Sequence, residues 1–323
     1  MFDRLVLVLL RVFVFMVVSV LSTTDAPLTS DPGVLAQSSP AAINVSSSSV
    51  AYRIAFASDR ESPFYFHIFT MNADGSDVKR LTDNLNQDKS PAWSSDGRRI
   101  AFTSDRDGNS EIYVMNDDGT GVTRVTNNPA FDWEPSWSPD GRRITFTSNR
   151  DGNWEIYSTL VPSPNAGASA DDSNTVRLSN NPAYDWQPAW SPDGKTIAFT
   201  SDREGHWQVY TMSADGSNVA RLTHTSADDR DPAWSPDGQF LAFVSTRDRA
   251  WEIYTMRADG SGVTRQTKTT TINQSPSWSP DGKRIIYEAN SEIMAIDFNG
   301  STLTNLTNDP AVDFHPACAC LSR

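Results

Sequence analysis

The chain has 323 residues, a formal net charge of −13, 38% hydrophobic and 21% charged residues. That length allows one large or two ordinary domains with a substantial core, and the composition excludes disorder along the whole chain. The acidic balance excludes a nucleic-acid partner, since nothing supplies a cationic footprint, and leaves basic proteins or metal cations as partners by charge.

At the N-terminus, Arg4 and Arg11 flank an apolar run that continues as VFVFMVVSVL from Val12 to Leu21. A short apolar stretch behind basic residues fits a secretory signal better than a membrane span. Val34-Leu35-Ala36 offers a cleavage site, with an uncleaved anchor as the alternative, so residues 1–36 are read as signal peptide or signal anchor. Export to the periplasm or the cell exterior follows, with the membrane touched only through this segment. Residues 37–50 end a Ser-, Thr-, Ala- and Pro-rich region and read as a flexible linker.

From residue 51 the sequence repeats itself. Tyr52 to Thr82 supplies the last three strands of a unit that lacks its opening tryptophan. The motif W-S-[PS]-D-G then recurs at Trp93, Trp137, Trp190, Trp234 and Trp278, at intervals of 44, 53, 44 and 44 residues. The first of these units runs through DRDGN (Asp105 to Asn109), EIYVMN (Glu111 to Asn116) and VTRVT (Val122 to Thr126). The second has RRITFTS (Arg142 to Ser148) and NRDGN (Asn149 to Asn153), then an insertion over about 161–174, VPSPNAGASADDSN, which reads as a surface loop. The third has KTIAFTS (Lys195 to Ser201), QVYTMS (Gln208 to Ser213) and VARLT (Val219 to Thr223), and two more follow. Alternating β-branched and aromatic residues separated by Asp-Gly predict hairpins, and each unit holds four short antiparallel strands. FHPACAC (Phe314 to Cys320) supplies one first strand, with Cys318 where tryptophan stands elsewhere. Joined to the N-terminal fragment it completes a sixth blade and closes a ring without exposed edges. The expectation is an all-β, six-bladed β-propeller over residues 51–320, with a tail at 321–323. Cys318 and Cys320 are the two cysteines, poorly spaced to bridge each other, so the fold stands without a disulfide framework.

The succession P-x-W-S-P-D-G, I-A-F-x-S-x-R, E-I-Y-x-M, D-G and L-T resembles the WD40-like (PD40) repeat of TolB-type β-propellers across residues 51–320. The resemblance covers the propeller part alone, because TolB carries an α/β domain where this sequence has its linker. It implies a periplasmic protein-interaction module.

Several repeated residues are candidates for chemistry. Trp93, Trp137, Trp190, Trp234 and Trp278 are read as packing between blades, with Pro-Asp-Gly as a turn. The motif serine has neither a partner histidine nor an oxyanion loop, and no G-x-S-x-G occurs, so no catalytic residue is assigned. The arginine of S-x-R recurs as Arg60, Arg106, Arg150, Arg203 and Arg247, with Asn290 at that place in the remaining unit. Five copies suggest a repeated ion pair or carbonyl cap; a substrate-binding set is the alternative. Three residues before each repeat proline stand Asp88, Asp132, Asp185, Asp229 and Asp313, with Asn273 in one unit. Blade-to-blade connections converge on one mouth of the channel, so these carboxylates predict an acidic rim there; the local alternative is an aspartate capping its own turn. Phe131 and Trp133, Tyr184 and Trp186, and Phe314 flank three of them and add exposed aromatic rings of the kind that recognise peptides or sugars. Trp154, Trp207 and Trp251 precede the E/Q-[IV]-Y strands, where packing against a turn explains them. Asp105 lies in DRDGN, which lacks the calcium-loop register, and the four histidines fall at different repeat positions. No metal site and no cofactor are expected, calcium at the rim being adventitious. The reading is an exported, monomeric, non-catalytic module binding a protein or peptide, with a lyase-like carbohydrate-active propeller or a glycan-binding protein as alternatives.

Overall fold

The computed structural model describes residues 51–162 and 172–320. The signal and linker readings for 1–50, most of the 161–174 insertion and the tail lie outside the described residues. The chain opens with β1 (Tyr52–Ser58), β2 (His67–Asn72) and β3 (Lys79–Arg80). Blade 1 follows as β4 (Asp88–Trp93), β5 (Arg99–Ser104), β6 (Glu111–Asn116) and β7 (Thr123–Arg124). Blade 2 is β8 (Asp132–Trp137), β9 (Arg143–Ser148), β10 (Glu155–Leu160) and β11 (Val176–Arg177); blade 3 is β12 (Asp185–Trp190), β13 (Thr196–Ser201), β14 (Gln208–Ser213) and β15 (Ala220–Arg221). Blade 4 is β16 (Asp229–Trp234), β17 (Phe240–Ser245), β18 (Glu252–Arg257) and β19 (Thr264–Arg265); blade 5 is β20 (Asn273–Trp278), β21 (Arg284–Ala289), β22 (Glu292–Asp297) and β23 (Leu303–Asn305). The last strand, β24 (Asp313–Cys320), pairs with β1, giving the order β24-β1-β2-β3 in the closing blade. Six four-stranded antiparallel meanders result. No helix among the described residues is long and apolar enough to cross a membrane.

The second and third strands of each blade are buried on both faces, because every blade is sandwiched between two others. Alternation within them sorts side chains by size. Ile100 and Phe102 of β5 pack on Ala55 and Ala57 of the closing blade, while Ala101 from the other face of β5 meets Ile144 and Phe146 of blade 2. Each large ring thus enters a flat left by small residues, and burying one such side chain contributes about 1.5–3 kcal/mol.

The repeat motif works at the opposite end of the blade from the aspartates. Trp137, Trp234 and Trp278 donate their indole N–H to the carbonyl oxygens of Ala92, Ala189 and Ala233 in the preceding blade, at 3.1, 3.2 and 3.1 Å. In the turn itself Ser138 Oγ donates to Asp140 Oδ1 at 2.6 Å, and the Arg142 N–H donates to the same oxygen at 3.0 Å. The turn itself calls for the glycine: Gly194 has φ +69°, while a Cβ there would make only an ordinary contact with Pro139 of the preceding motif, at 3.7 Å.

Register corrects one position. Asn273 pairs with Ala289 as Asp88 pairs with Ser104, so the arginine place in blade 5 belongs to Ser291 and not to Asn290. Asn290 and Ser291 both adopt positive φ, and Ser291 follows Trp278 at the spacing at which Arg106 follows Trp93.

Candidate functional site

The five aspartates do lie on the face carrying the blade-to-blade connections, but all five are fully buried. Each is held by the arginine of its own blade: Arg60 with Asp313 at 2.8 Å, Arg106 with Asp88 at 3.0 Å, Arg150 with Asp132 at 2.8 Å, Arg203 with Asp185 at 3.0 Å and Arg247 with Asp229 at 3.0 Å. The Nε–H of each arginine also donates to the serine two residues earlier, as from Arg106 to Ser104 Oγ at 2.8 Å. Its guanidinium lies over the blade's own rings, Phe102 and Tyr113 at 5.2 and 4.8 Å in blade 1. The open acidic rim is therefore corrected to an internal ring of ion pairs, because every carboxylate is enclosed with its own cation. The exposed acids of this face include Asp107, Asp151 and Asp248 in the turns between second and third strands, their side chains roughly half exposed.

The aromatic residues merge into one ladder. Trp133 stacks on Trp154 with centroids 4.7 Å apart, Trp154 meets Trp186 edge-on at 5.4 Å, and Trp186 approaches Trp207 at 6.0 Å. Phe131 leans on Trp133 at one end, 5.9 Å away. At the other end Arg230 sits between Trp207 and Trp251, 4.8 and 5.0 Å from their centroids. The residue after the ring aspartate of one blade interleaves with the residues before the third strands of its own and the preceding blade, so two sets distant in sequence form one half-buried arc over blades 2 to 4. Tyr184 stands outside it, 45% exposed. Phe314 lies across the ring, edge-on to Phe66 at 4.6 Å and to His315 at 4.7 Å.

The channel wall is built from residues the repeat pattern does not single out. Ser90, Glu134, Gln187, Asp231, Ser275 and His315, each just before a repeat proline, line a cavity of about 170 Å³ together with those prolines. All six have φ between +50° and +57°. They sit where the ladder between first and second strands slips, as between Lys89 and Ala92. Non-glycine residues in this region each cost on the order of 1–3 kcal/mol, and such strain concentrates at functional sites. Their side chains are chained together: Gln187 Oε1 accepts the Asp231 N–H at 3.3 Å, and Asp231 Oδ2 accepts the Ser275 N–H at 3.0 Å. Gln187 Nε2 in turn donates to Asp231, and Ser90 Oγ lies 3.0 Å from His315 Nδ1.

Electrostatically the channel is a desolvated acidic well. Burial, and then the nearby Asp231, push Glu134 up to about 8, and its Oε2 has no hydrogen-bond partner. Burial also raises Glu288, which projects from β21, to about 7 and raises Asp231. His315 falls to about 4, through burial first and Lys89 second, and is neutral at physiological pH. No three His, Cys, Asp or Glu side chains among the described residues converge as a metal-ligating set. The sequence signal for this ring was variety: serine, glutamate, glutamine, aspartate, serine and histidine occupy one repeat position.

Comparison with known proteins agrees with this architecture. Residues 167–290 and 224–320 match the TolB beta propeller domain, and residues 54–161 match the Tricorn protease N-terminal beta propeller domain. The crystal structure of TolB from Acinetobacter baumannii is similar with TM-score 0.69 and 25% identity, covering 83% of this chain and 66% of that one. An oligogalacturonate lyase structure from Vibrio parahaemolyticus has TM-score 0.54 at 13% identity, covering 78% of this chain and 73% of that one, a likeness of fold. Dipeptidyl-peptidase 5 of Porphyromonas gingivalis is 32% identical over 78 residues, 24% of this chain and 11% of the relative. Repeat, ring closure and these matches together place the chain, by its propeller, in the TolB-type WD40-like β-propeller repeat family.

Proposed function

We propose that this propeller is an exported, monomeric, non-catalytic module that binds a peptide segment of a partner protein at the channel mouth. The observation that carries it is the half-buried ladder from Phe131 to Trp251, placed on the same face as the acidic channel and the half-exposed Asp107, Asp151 and Asp248. Aromatic groups with their edges in water and acids around them suit a basic or polar segment carrying an apolar anchor. Six strained residues fixed by ring packing preorganise the channel, which reduces the ordering cost of binding. Similarity to TolB supports a protein partner and a periplasmic setting. A glycan would stack on free ring faces, and here Trp133 and Trp154 cover one another.

The test compares partner capture from the native extracytoplasmic fraction by the wild type and by the Trp133→Ala, Trp186→Ala double variant. Capture should be lost while the far-ultraviolet circular dichroism stays that of the intact ring. Unchanged capture by a folded double variant would refute the assignment of the site, and turnover of a uronate polymer by the wild type would refute the non-catalytic reading.

A further inference from the structure

Each blade junction brings the first residue of one blade's third strand to the ring aspartate of the next blade. At the junction of blades 4 and 5 that contact is an ordinary hydrogen bond, Asn273 Nδ2 donating to Glu252 Oε2 at 2.9 Å. At the junction of blades 1 and 2 both positions carry carboxyl groups, Glu111 and Asp132. Glu111 is set as Glu252 is: its Oε2 accepts from Thr126 Oγ1 at 2.6 Å and its Oε1 accepts from Arg124 at 2.6 Å. Asp132 Oδ2 accepts from Arg150 at 2.8 Å, but its Oδ1 is buried with no partner. The junction of blade 5 with the closing blade repeats this with Glu292 and Asp313. Asp313 Oδ2 accepts from Arg60 at 2.8 Å, and Oδ1 is again buried and unpartnered.

The contrast with the remaining junctions is informative. Across from Gln208, Asp229 has its second oxygen served by Thr225 Oγ1 at 3.0 Å. Across from His67, Asp88 has its second oxygen served by Asn84 Nδ2 at 2.6 Å. At the junction of blades 2 and 3 a glutamate, Glu155, also faces the aspartate, but there Arg203 serves both oxygens of Asp185, at 3.0 and 3.1 Å. The orphaned oxygen thus occurs where a glutamate faces an aspartate whose arginine reaches one oxygen alone, at the place where Asn273 puts a donor. Two bare carboxylates cannot reproduce that contact; one carboxylic acid and one carboxylate can.

We propose that Asp132 and Asp313 each hold a proton on Oδ1 and donate it to Glu111 and Glu292, closing two of the six blade junctions with a shared proton that is lost as the pH rises. The groups facing Asp132 are Arg150 and Ser148 in its own blade and Glu111, backed by Arg124 and Thr126, in blade 1; Asp172 shares Arg150 at 3.0 Å. Around Asp313 stand Arg60 and Ser58 of its own blade and Thr307 of blade 5, whose Oγ1 donates to Glu292 Oε2 at 2.5 Å. Both arginines favour ionisation, but burial outweighs them and raises both aspartates, Asp132 to about 7. Because the folded value lies above the unfolded 3.8, the stability that this proton contributes is complete below about 3.8 and is lost as pH rises through about 7.

The test is infrared spectroscopy of the full chain labelled with carbon-13 at the aspartate carboxyl, which separates aspartates from Glu134 and Glu288. Between 3.8 and about 7 the wild type should show the carbonyl stretch of protonated aspartate, weakened in Asp132→Asn, and above 3.8 Asp313→Asn should weaken it separately. Across the same window the unfolding constant should rise with pH by up to about tenfold per unit for each proton, and each variant should lose its share of that slope. Should an aspartate variant not fold, Glu111→Gln, which copies the Gln208 junction, should remove the Asp132 component instead. A wild type without a protonated aspartate signal in this window, or folded variants with unaltered signal and slope, overturns the proposal.

Discussion

Replacing Arg247 by serine leaves Asp229 fully buried without its cation. Arg247 donates to Asp229 Oδ1 at 3.0 Å and to Ser245 Oγ at 2.8 Å, and lies over Phe243 and Tyr254 at 5.2 and 4.8 Å. Breaking a buried pair from one side costs about 3–5 kcal/mol, most of it the penalty of the abandoned charge. The stacking of the guanidinium adds about 0.5–2 kcal/mol. Blade 5 shows how a blade manages without the pair, with Asn273 and Ser291 at the two places. The double variant Asp229→Asn, Arg247→Ser copies that arrangement and removes the charge penalty, so it should be more stable than Arg247→Ser by about 2–3 kcal/mol, a strongly non-additive cycle. Equilibrium urea unfolding of the four proteins of the cycle measures this. A loss below about 1 kcal/mol in Arg247→Ser, or a double variant no more stable than the single, would refute the view that the ring arginines exist to neutralise enclosed aspartates.

Further outcomes follow from other parts of the ring. Gly216 and Gly205 have nearly the same φ, +87° and +85°, but a Cβ on Gly216 would collide with the Leu178 carbonyl oxygen while one on Gly205 meets nothing within 4 Å. Gly205→Ala should cost about 1–2 kcal/mol and Gly216→Ala about 1–3 kcal/mol more, read as their difference in melting temperature. Glu134→Gln should flatten the pH dependence of stability: with the folded value near 8 against 4.5, the wild type loses stability as pH rises through about 8, and the variant does not. Above about pH 8 the variant should be the more stable by up to a few kcal/mol; parallel profiles would show that Glu134 is not held neutral by burial.

Blade number, strand order and closure were legible because they depend on repetition: WSPDG spacing, Asp-Gly turns and the split unit at the two ends. The ion-pair ring was half legible. Both sets of residues stand out, and the unit with Asn273 is also the unit without arginine, so the two are lost together, but their pairing across the blade is not a matter of spacing. Burial was the missing quantity, since a residue at a connection looks exposed until the neighbouring blade is known. The ladder reads as two sets in the sequence because Trp133 and Trp154, though in one blade, are 21 positions apart, and because the step from Trp154 to Trp186 depends on how the third strand of one blade meets the first strand of the next. The channel ring escaped for a different reason. A search for repeats rewards constancy, whereas Glu134, Asp231 and His315 occupy the place where the units disagree.

The ladder between β1 and β24 has a mechanical consequence. Tyr52 is paired with Cys320 and Arg53 with Ala319, so the N-terminal end of one strand lies beside the C-terminal end of the other. Tension applied through the chain on either side of the propeller would load these rungs one at a time from that end, as a zipper is opened, and not all together in shear. The bonds that shut the ring are then the first to feel a pull, and a load borne through both flanks would open the closing blade while the other five remain intact.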